Sequence, residues 1–439
     1  MSLLKFQDNH AECLIKALNN NNIAISTAET GTGKTYIAIY IAKLLNLKPL
    51  IICPKTIIYN WINVLNIFDI NYYGIANYES FKNCKYYVQN IIHKTQIGTK
   101  QQCPYINKNL ELNLPPDTLL ILDEAHKCKN PKTHNAKILL NIDITKINYK
   151  ILLLSATLAD TLSNFKVFAT LLKFCSNPIL YDLMTKDKNF ISIHKKIFPK
   201  FGGRIRIKDI PNFPQNIILP EKILMKNAEE IQAQYEIINA IVIDKEHKIA
   251  NSNSMLEIIL RARQKIEALK IPAIIDLTLD AIENKFSIVI FVNFKHTLFV
   301  LQENLQQHNH KVGIIHGDQS LIDRNNIIQD FQNNKLNIII LTTQTGGVGI
   351  SLHDINGGFP RMSIISPSWS AQDLLQCLGR IHRAGGKSKS IQKIVFCANT
   401  IEEQIANVIQ TKFDNYSQLN DSVEKSEIII NPSVPLLGN

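Results

Sequence analysis

The sequence predicts an α/β protein of two tandem lobes, each a mostly parallel sheet flanked by helices. Three observations carry this expectation. The chain has 439 residues, enough for two domains that each bury a core. Short apolar runs alternate with longer amphipathic segments, the pattern of parallel strands joined by crossover helices. Several runs, Leu119–Leu122 and Ile338–Leu341 among them, are unbroken Leu and Ile, as expected of strands covered by helices on both faces.

Taken in order, the first half predicts strands at Ile23–Ser26, Leu50–Cys53, Leu119–Leu122 and Ile151–Leu154. Helices are expected over Lys34–Leu45, Thr56–Ile67, His134–Leu140 and Thr161–Phe174. The second half predicts strands at Ile288–Val292, Lys311–Ile315, Asn337–Leu341, Met362–Ile365 and Lys393–Cys397. Its helices are expected over His296–His308, Leu321–Gln332, Gln372–Arg380 and Glu402–Lys412. Between the halves, Ile205–Pro220 carries three prolines and weak periodicity, and Ala228–Ile243 and Leu256–Leu269 read as helical. The expected organisation is therefore a first lobe over 1–200, a linker with helices over 201–270, a second lobe over 271–420 and a loosely attached tail over 421–439. No internal repeat is visible.

Composition narrows the class. Hydrophobic residues make up 45% of the chain, suiting a soluble globular protein. The polar start, Met1–His10, argues against a secretory signal. No apolar run reaches the ~18–20 residues that span a bilayer, so an intracellular protein without membrane contact is expected, with a monomer favoured. The eight cysteines are scattered without a CxxC pair and read as reduced, partly buried side chains. Lys and Arg total 48 against 37 Asp and Glu, a formal charge of +11. Such an excess attracts polyanions through counterion release. The chain is also rich in Ile, Asn and Lys together, as AT-rich coding produces, and this raises lysine without selection for binding.

Ala28-Glu29-Thr30-Gly31-Thr32-Gly33-Lys34-Thr35 follows an expected strand and opens an expected helix. In that context it reads as a phosphate-binding loop. Glycines let backbone N–H groups curl around a phosphate, and the helix N-terminus adds partial positive charge. Thr30, Gly31, Thr32, Gly33, Lys34 and Thr35 are thus candidates for binding ATP. Lys34 is placed to reach the β- and γ-phosphates, and the Thr35 hydroxyl to ligate Mg²⁺. Leu119–Leu122 is followed by Asp123-Glu124-Ala125-His126, at the strand end where open α/β sheets bind ligands. Asp123 suits a Mg²⁺ partner. Glu124 suits the base or water-orienting group that attack on the γ-phosphate needs. His126 is a candidate for coupling this site to a bound polymer.

In this order and context, the two motifs resemble the superfamily 2 helicases and translocases, and the likeness extends over most of the chain. Gln7 sits where that group keeps an adenine-reading glutamine. Ile51–Lys55 with Trp61, then Ala76-Asn77-Tyr78-Glu79, look like motifs Ia and Ib of the Swi/Snf-like branch. Asp123–Asn130 is similar to that branch's extended motif II, a DEAH box. Further on, His316-Gly317 with Arg324 and Phe331 looks like motif IVa, and Thr342–Leu352 like motif V, which implies Gly349 in nucleotide contact. Pro367–Gln372 resembles the tryptophan-containing segment ahead of motif VI, and Gln376–Gly385 resembles motif VI itself. Ser155-Ala156-Thr157 departs from the branch, where Thr-Gly-Thr-Pro is usual, and matches the general helicase form of motif III.

The resemblance implies two RecA-like lobes with ATP in the cleft between them. It implies Arg380 and Arg383 as catalytic arginines supplied by the second lobe, and Ser155 and Thr157 as coupling residues beside His126. A guanidinium stabilises the charge that phosphoryl transfer concentrates, and the spacing of three predicts both arginines on one helical face. For the nucleic-acid track the resemblance implies Lys55, Asn77, Thr343 and Gln344. Trp61 could stack on a base, though a lone Trp after a strand is more often core, and Trp369 reads the same way. Arg204, Arg261 and Arg263 lie in the linker, either as track contacts or as a solvated helix face. Three functions remain open at this level. The first is a Swi/Snf-like ATP-dependent translocase on double-stranded DNA. The second is a strand-separating or annealing helicase, which Ser155-Ala156-Thr157 favours. The third is a nucleic-acid clamp with a vestigial ATPase, which the full set of ATP-site residues disfavours.

Overall fold

In the computed structural model, which describes residues 3–90, 96–179, 181, 189–246, 252–346 and 350–430, the chain begins with helix α1 (Lys5–Asn21). Strand β1 (Ile23–Ser26), α2 (Lys34–Leu44), β2 (Lys48–Cys53), α3 (Ile58–Phe68), β3 (Gly74–Asn77) and the short α4 (Tyr78–Phe81) follow. Next come β4 (Lys85–Tyr87), β5 (Lys100–Gln102), β6 (Thr118–Asp123), α5 (His134–Leu140), β7 (Lys150–Leu154), α6 (Leu162–Leu171) and β8 (Gly202–Gly203). These strands form one sheet in the order β5-β4-β3-β2-β6-β7-β1-β8. All pairings are parallel except β3–β4 and β4–β5. Every residue of β1 and β6 is buried, which is why their sequences read as unbroken apolar runs.

The second sheet is built from β9 (Asn216–Ile223), β10 (Ser287–Val292), β11 (Val312–Ile315), β12 (Ile338–Thr342), β13 (Arg361–Ile365) and β14 (Ser390–Cys397). Its order is β11-β12-β10-β13-β14-β9, with each pairing parallel. The chain partitions into one unit of Met1–Asn212 with Lys412–Ser426, and a second of Phe213–Thr411 with Glu427–Asn439. Among the described residues no helix is long and apolar enough to cross a membrane. All eight cysteines are free thiols.

Four expectations need correction. Helix α1 was not anticipated, because its buried face (Gln7, His10, Ala11, Leu14, Leu18) includes two polar residues and so reads as a weak stripe. The proline-bearing stretch before Pro220 is not all connector, since β9 pairs with β14 along its length. Proline is tolerated there because β9 is an edge strand, where a missing N–H breaks no ladder. The helix expected over Gln372–Arg380 stops at Leu378, so Arg380 and Arg383 lie in the turn that follows and not on a helical face. Gly379, a poor helix former, sits at its C-cap. The last helix, finally, runs over Glu402–Asp421, and the segment after it is fastened: Ser426 N–H donates to Asp414 and Ile430 N–H to Gln410, with Ile430 fully buried. Residues 431–439 of the expected tail lie outside the described residues.

Strand register places the candidate residues. Ser26 pairs with Leu154, Leu154 with Asp123, and Cys53 with Asn77. Ile52 pairs with Leu122, which puts Cys53 one step on beside Asp123. Five parallel strands therefore end on a single row, and the segments at Thr27, Ser155, Asp123-Glu124, Lys55 and Asn77 all leave from it.

Candidate active site

The loop after β1 has the backbone a phosphate cradle needs. Gly31 and Gly33 adopt φ of 92° and 88°, a region closed to side chains without strain. A Cβ on Gly33 would also lie 2.4 Å from Gln7 Nε2. The Thr32 hydroxyl donates to Glu29 O at 2.8 Å, and Lys34 Nζ donates to Ala28 O at 2.9 Å and Glu29 O at 3.2 Å. The loop is thus tied by its own side chains. Thr30 and Thr35 flank it partly exposed, and the first N–H groups of α2 have no acceptor within the helix. Gln7 is bound at both ends of its amide, accepting from Leu4 N–H at 3.0 Å and donating to Thr32 O at 2.9 Å. One amide hydrogen and one lone pair stay available.

Asp123 ends β6 and is buried. Its Oδ1 accepts from the Glu124 N–H at 2.9 Å and its Oδ2 from the Trp61 indole N–H at 3.0 Å. Burial, followed by the neighbouring Glu124 charge, pushes its pKa up to about 7, opposed by the Lys34 ammonium and the Trp61 N–H. Glu124 has a left-handed backbone, φ 55° and ψ 49°, which costs a non-glycine residue about 1 kcal/mol or more. That turn swings its carboxylate to 3.3 Å from His126 Nδ1. His126 Nδ1 also lies 3.1 Å from Ser155 Oγ, whose own hydrogen is committed to Thr157 O at 2.8 Å. Nδ1 must therefore carry the proton, leaving Nε2 as an acceptor. Glu124, His126, Ser155 and Thr157 form one chain of polar contacts.

Burial holds His126 and His10 at about 4, below the ordinary 6.5, and Lys34 adds to the effect at His10. Both sites disfavour a proton that the unfolded chain accepts. Their contribution to stability is full above pH 6.5 and is lost as pH falls towards 4. A His126→Gln protein is expected to show a shallower decline in denaturant midpoint over that interval.

The second unit's candidates divide. Arg380 is buried, its Nε donating to Gln376 O at 2.7 Å and its Nη1 to Ile350 O at 3.2 Å. Arg383 is half-buried, its Nε on Gly379 O at 2.9 Å and its Nη1 on the Ser351 hydroxyl. Each arginine caps carbonyls of the preceding helix end. Gly349 lies outside the described residues. Of the track candidates, Lys55 and Gln344 are exposed. Asn77 is turned inward, accepting from Ser80 N–H as a helix cap, and Thr343 is buried, donating to Asn293.

Sequence reading missed several residues. Trp61 does lie in the core as expected, yet its N–H holds Asp123, and the Tyr78 hydroxyl donates to Asp123 O at 2.8 Å. Trp369 is not core: it is 40% exposed, with the Arg263 guanidinium 6.0 Å and the Tyr235 ring 6.4 Å away. Arg261 is solvent-exposed as expected. Arg204 is not solvated. It donates to Thr27 O at 2.7 Å, Glu29 at 2.9 Å and Asp421 at 2.6 Å, tying the phosphate loop to the C-terminal helix. Asn420 of that helix donates to Ala156 O at 2.9 Å. These pairings span from 175 to 264 residues, and no local pattern encodes them. Arg204→Ala leaves Asp421 without its arginine and Glu29 with only the Ile207 N–H, and a loss of about 2 kcal/mol is expected, read as a lower calorimetric transition for the first unit.

The donor chemistry suits Mg²⁺ and a nucleotide. A hydroxyl and a carboxylate are the hard oxygen ligands Mg²⁺ takes alongside phosphates and waters. Among the described residues no cluster of three or more His, Cys, Asp or Glu could hold a metal alone.

Comparison with known proteins agrees. Residues 1–160 match the family model described as type III restriction enzyme, res subunit, and residues 269–385 that described as helicase conserved C-terminal domain. A protein of Acanthamoeba polyphaga mimivirus named "Putative ATP-dependent RNA helicase" is 35% identical over 95% of this chain and 84% of its own length. A CHD3-type chromatin-remodeling factor of Arabidopsis thaliana is 22% identical over 67% of this chain and 26% of that protein. In fold, S. cerevisiae Dbp5 bound to RNA and ADP BeF3 is similar at a TM-score of 0.51 and 16% identity, covering 94% of this chain and 88% of that one. This chain's architecture is therefore that of tandem RecA-like lobes, and the chain belongs to the ATP-dependent helicases and translocases of superfamily 2, which are nucleic-acid-dependent ATPases.

Proposed function

We propose that this protein hydrolyses ATP to ADP and phosphate while translocating along double-stranded DNA. The observation that carries the reading is the single row of strand ends from which the phosphate loop, the acidic pair, Ser155-Ala156-Thr157, Lys55 and Asn77 all depart. Lys34 and the first N–H groups of α2 bind the triphosphate, and Gln7 reads the adenine. Thr35 and Asp123 would hold Mg²⁺, which would supply positive charge against that of the phosphates. Glu124 orients the attacking water and takes its proton. His126, Ser155 and Thr157 link Glu124 to the strand path. Arg383, with Arg380 holding the turn, stabilises the charge on the transferring phosphoryl group.

Duplex DNA is favoured by the extended motif II and the tryptophan segment. A second reading, an RNA or DNA helicase, has its own support in Ser155-Ala156-Thr157 and in the name of the mimivirus relative. Steady-state hydrolysis with duplex DNA, single-stranded DNA and RNA, beside a strand-displacement assay, separates the two. The proposal expects duplex DNA to stimulate most, without strand separation. Stimulation by RNA alone, with unwinding, would establish the second reading.

A further inference from the structure

We propose that Trp61 and Tyr78 are positioning residues that transmit occupancy of the nucleic-acid track to Asp123, and so make hydrolysis depend on the bound strand. The proposal rests on the reading above and names the route for its regulation. Each residue follows closely on a track segment. Lys55 opens the turn Lys55–Ile57 that leads directly into α3, and α3 carries Trp61. Asn77 ends β3, and Tyr78 is the next residue.

From these two places the side chains converge on one residue. The Trp61 indole has a single N–H, and it goes to Asp123 Oδ2 at 3.0 Å. The Tyr78 hydroxyl donates to the Asp123 carbonyl at 2.8 Å. With the Glu124 N–H on Oδ1 at 2.9 Å, the carboxylate has both oxygens engaged, and one of the donors belongs to α3. Neither aromatic can touch a strand itself, since Trp61 is 0% and Tyr78 4% exposed. They act on the site only through Asp123.

Geometry gives the link its sensitivity. Hydrogen bonds weaken steeply as the donor swings out of line. A phosphate drawn to the exposed Lys55 pulls on the turn that begins α3, and a small rotation of α3 redirects the N–H that aims Asp123. Outer partners of a metal-binding group are worth roughly 10–100-fold in metal affinity or activity when removed.

Two near-isosteric variants test this. Trp61→Phe and Tyr78→Phe each remove a donor and keep an aromatic ring. Each is expected to cut the stimulation by duplex DNA roughly tenfold and to raise the Mg²⁺ needed to bind fluorescent ADP. Duplex affinity without nucleotide should be unchanged. Tyr73→Phe, which loses a hydroxyl bond to Asp117 at the same sheet, is the control and should change none of these. Stimulation at the wild-type factor in both variants overturns the proposal, as does a loss confined to Trp61→Phe with a lowered melting temperature. A readout free of turnover uses Trp369→Phe, which leaves Trp61 alone of the two tryptophans. Duplex added without nucleotide or Mg²⁺ should shift Trp61 emission, and unchanged emission at saturation overturns the link. Absence of stimulation by any nucleic acid in the wild-type protein would instead remove the functional reading beneath it.

Discussion

Glu124→Gln is expected to lower nucleic-acid-stimulated hydrolysis by roughly a hundred- to ten-thousand-fold, while ATP still binds. The amide keeps the size of the carboxylate and can accept one bond, but it cannot take a proton from water. The left-handed turn at Glu124 is held by its N–H bond to Asp123 Oδ1, which the substitution leaves in place. The site should therefore stay assembled around ATP and fail at the chemical step. Lys34→Ala should also abolish turnover but weaken binding as well, because the same ammonium ties the loop through Ala28 O and Glu29 O. Nucleotide binding measured beside single-turnover hydrolysis distinguishes the two. Wild-type turnover in either variant would contradict the mechanism.

Arg383→Ala is expected to remove roughly a thousandfold or more of the stimulated rate, with ATP binding by the first unit largely retained. The structure makes Arg383 a better probe than Arg380. Arg380 is buried and holds Ile350 O and Gln376 O, so its removal also disturbs the turn. Arg383 is half-buried and rests on the Ser351 hydroxyl. An unchanged stimulated rate in Arg383→Ala would show that the second unit's arginine does not act in hydrolysis.

The strand ends were legible because buried parallel strands are short runs of Ile, Leu and Val bounded by polar and turn residues. Four strands of the first sheet were placed to within two residues for this reason. The phosphate loop and acidic pair were legible because each joins an unusual local composition to the end of such a run. What escaped reading depends on distance along the chain. Trp61 announced itself as core, and nothing around it says that its N–H meets Asp123, 62 residues on. Arg204 looked like a solvated side chain because both carboxylates it binds lie about 200 residues away in sequence. Arg380 and Arg383 had the spacing of a helical face, and Gly379 ended the helix before either. The edge strand β9 was hidden by Pro220, whose presence counts against a strand everywhere except at an edge.

Movement along a duplex is read out by displacement of a third strand. A short oligonucleotide bound as a triplex on duplex DNA is released when a motor travels beneath it. The wild-type protein is expected to release it in an ATP-dependent way, and Glu124→Gln to leave it bound. Duplex-stimulated hydrolysis without any release of the third strand would contradict that movement.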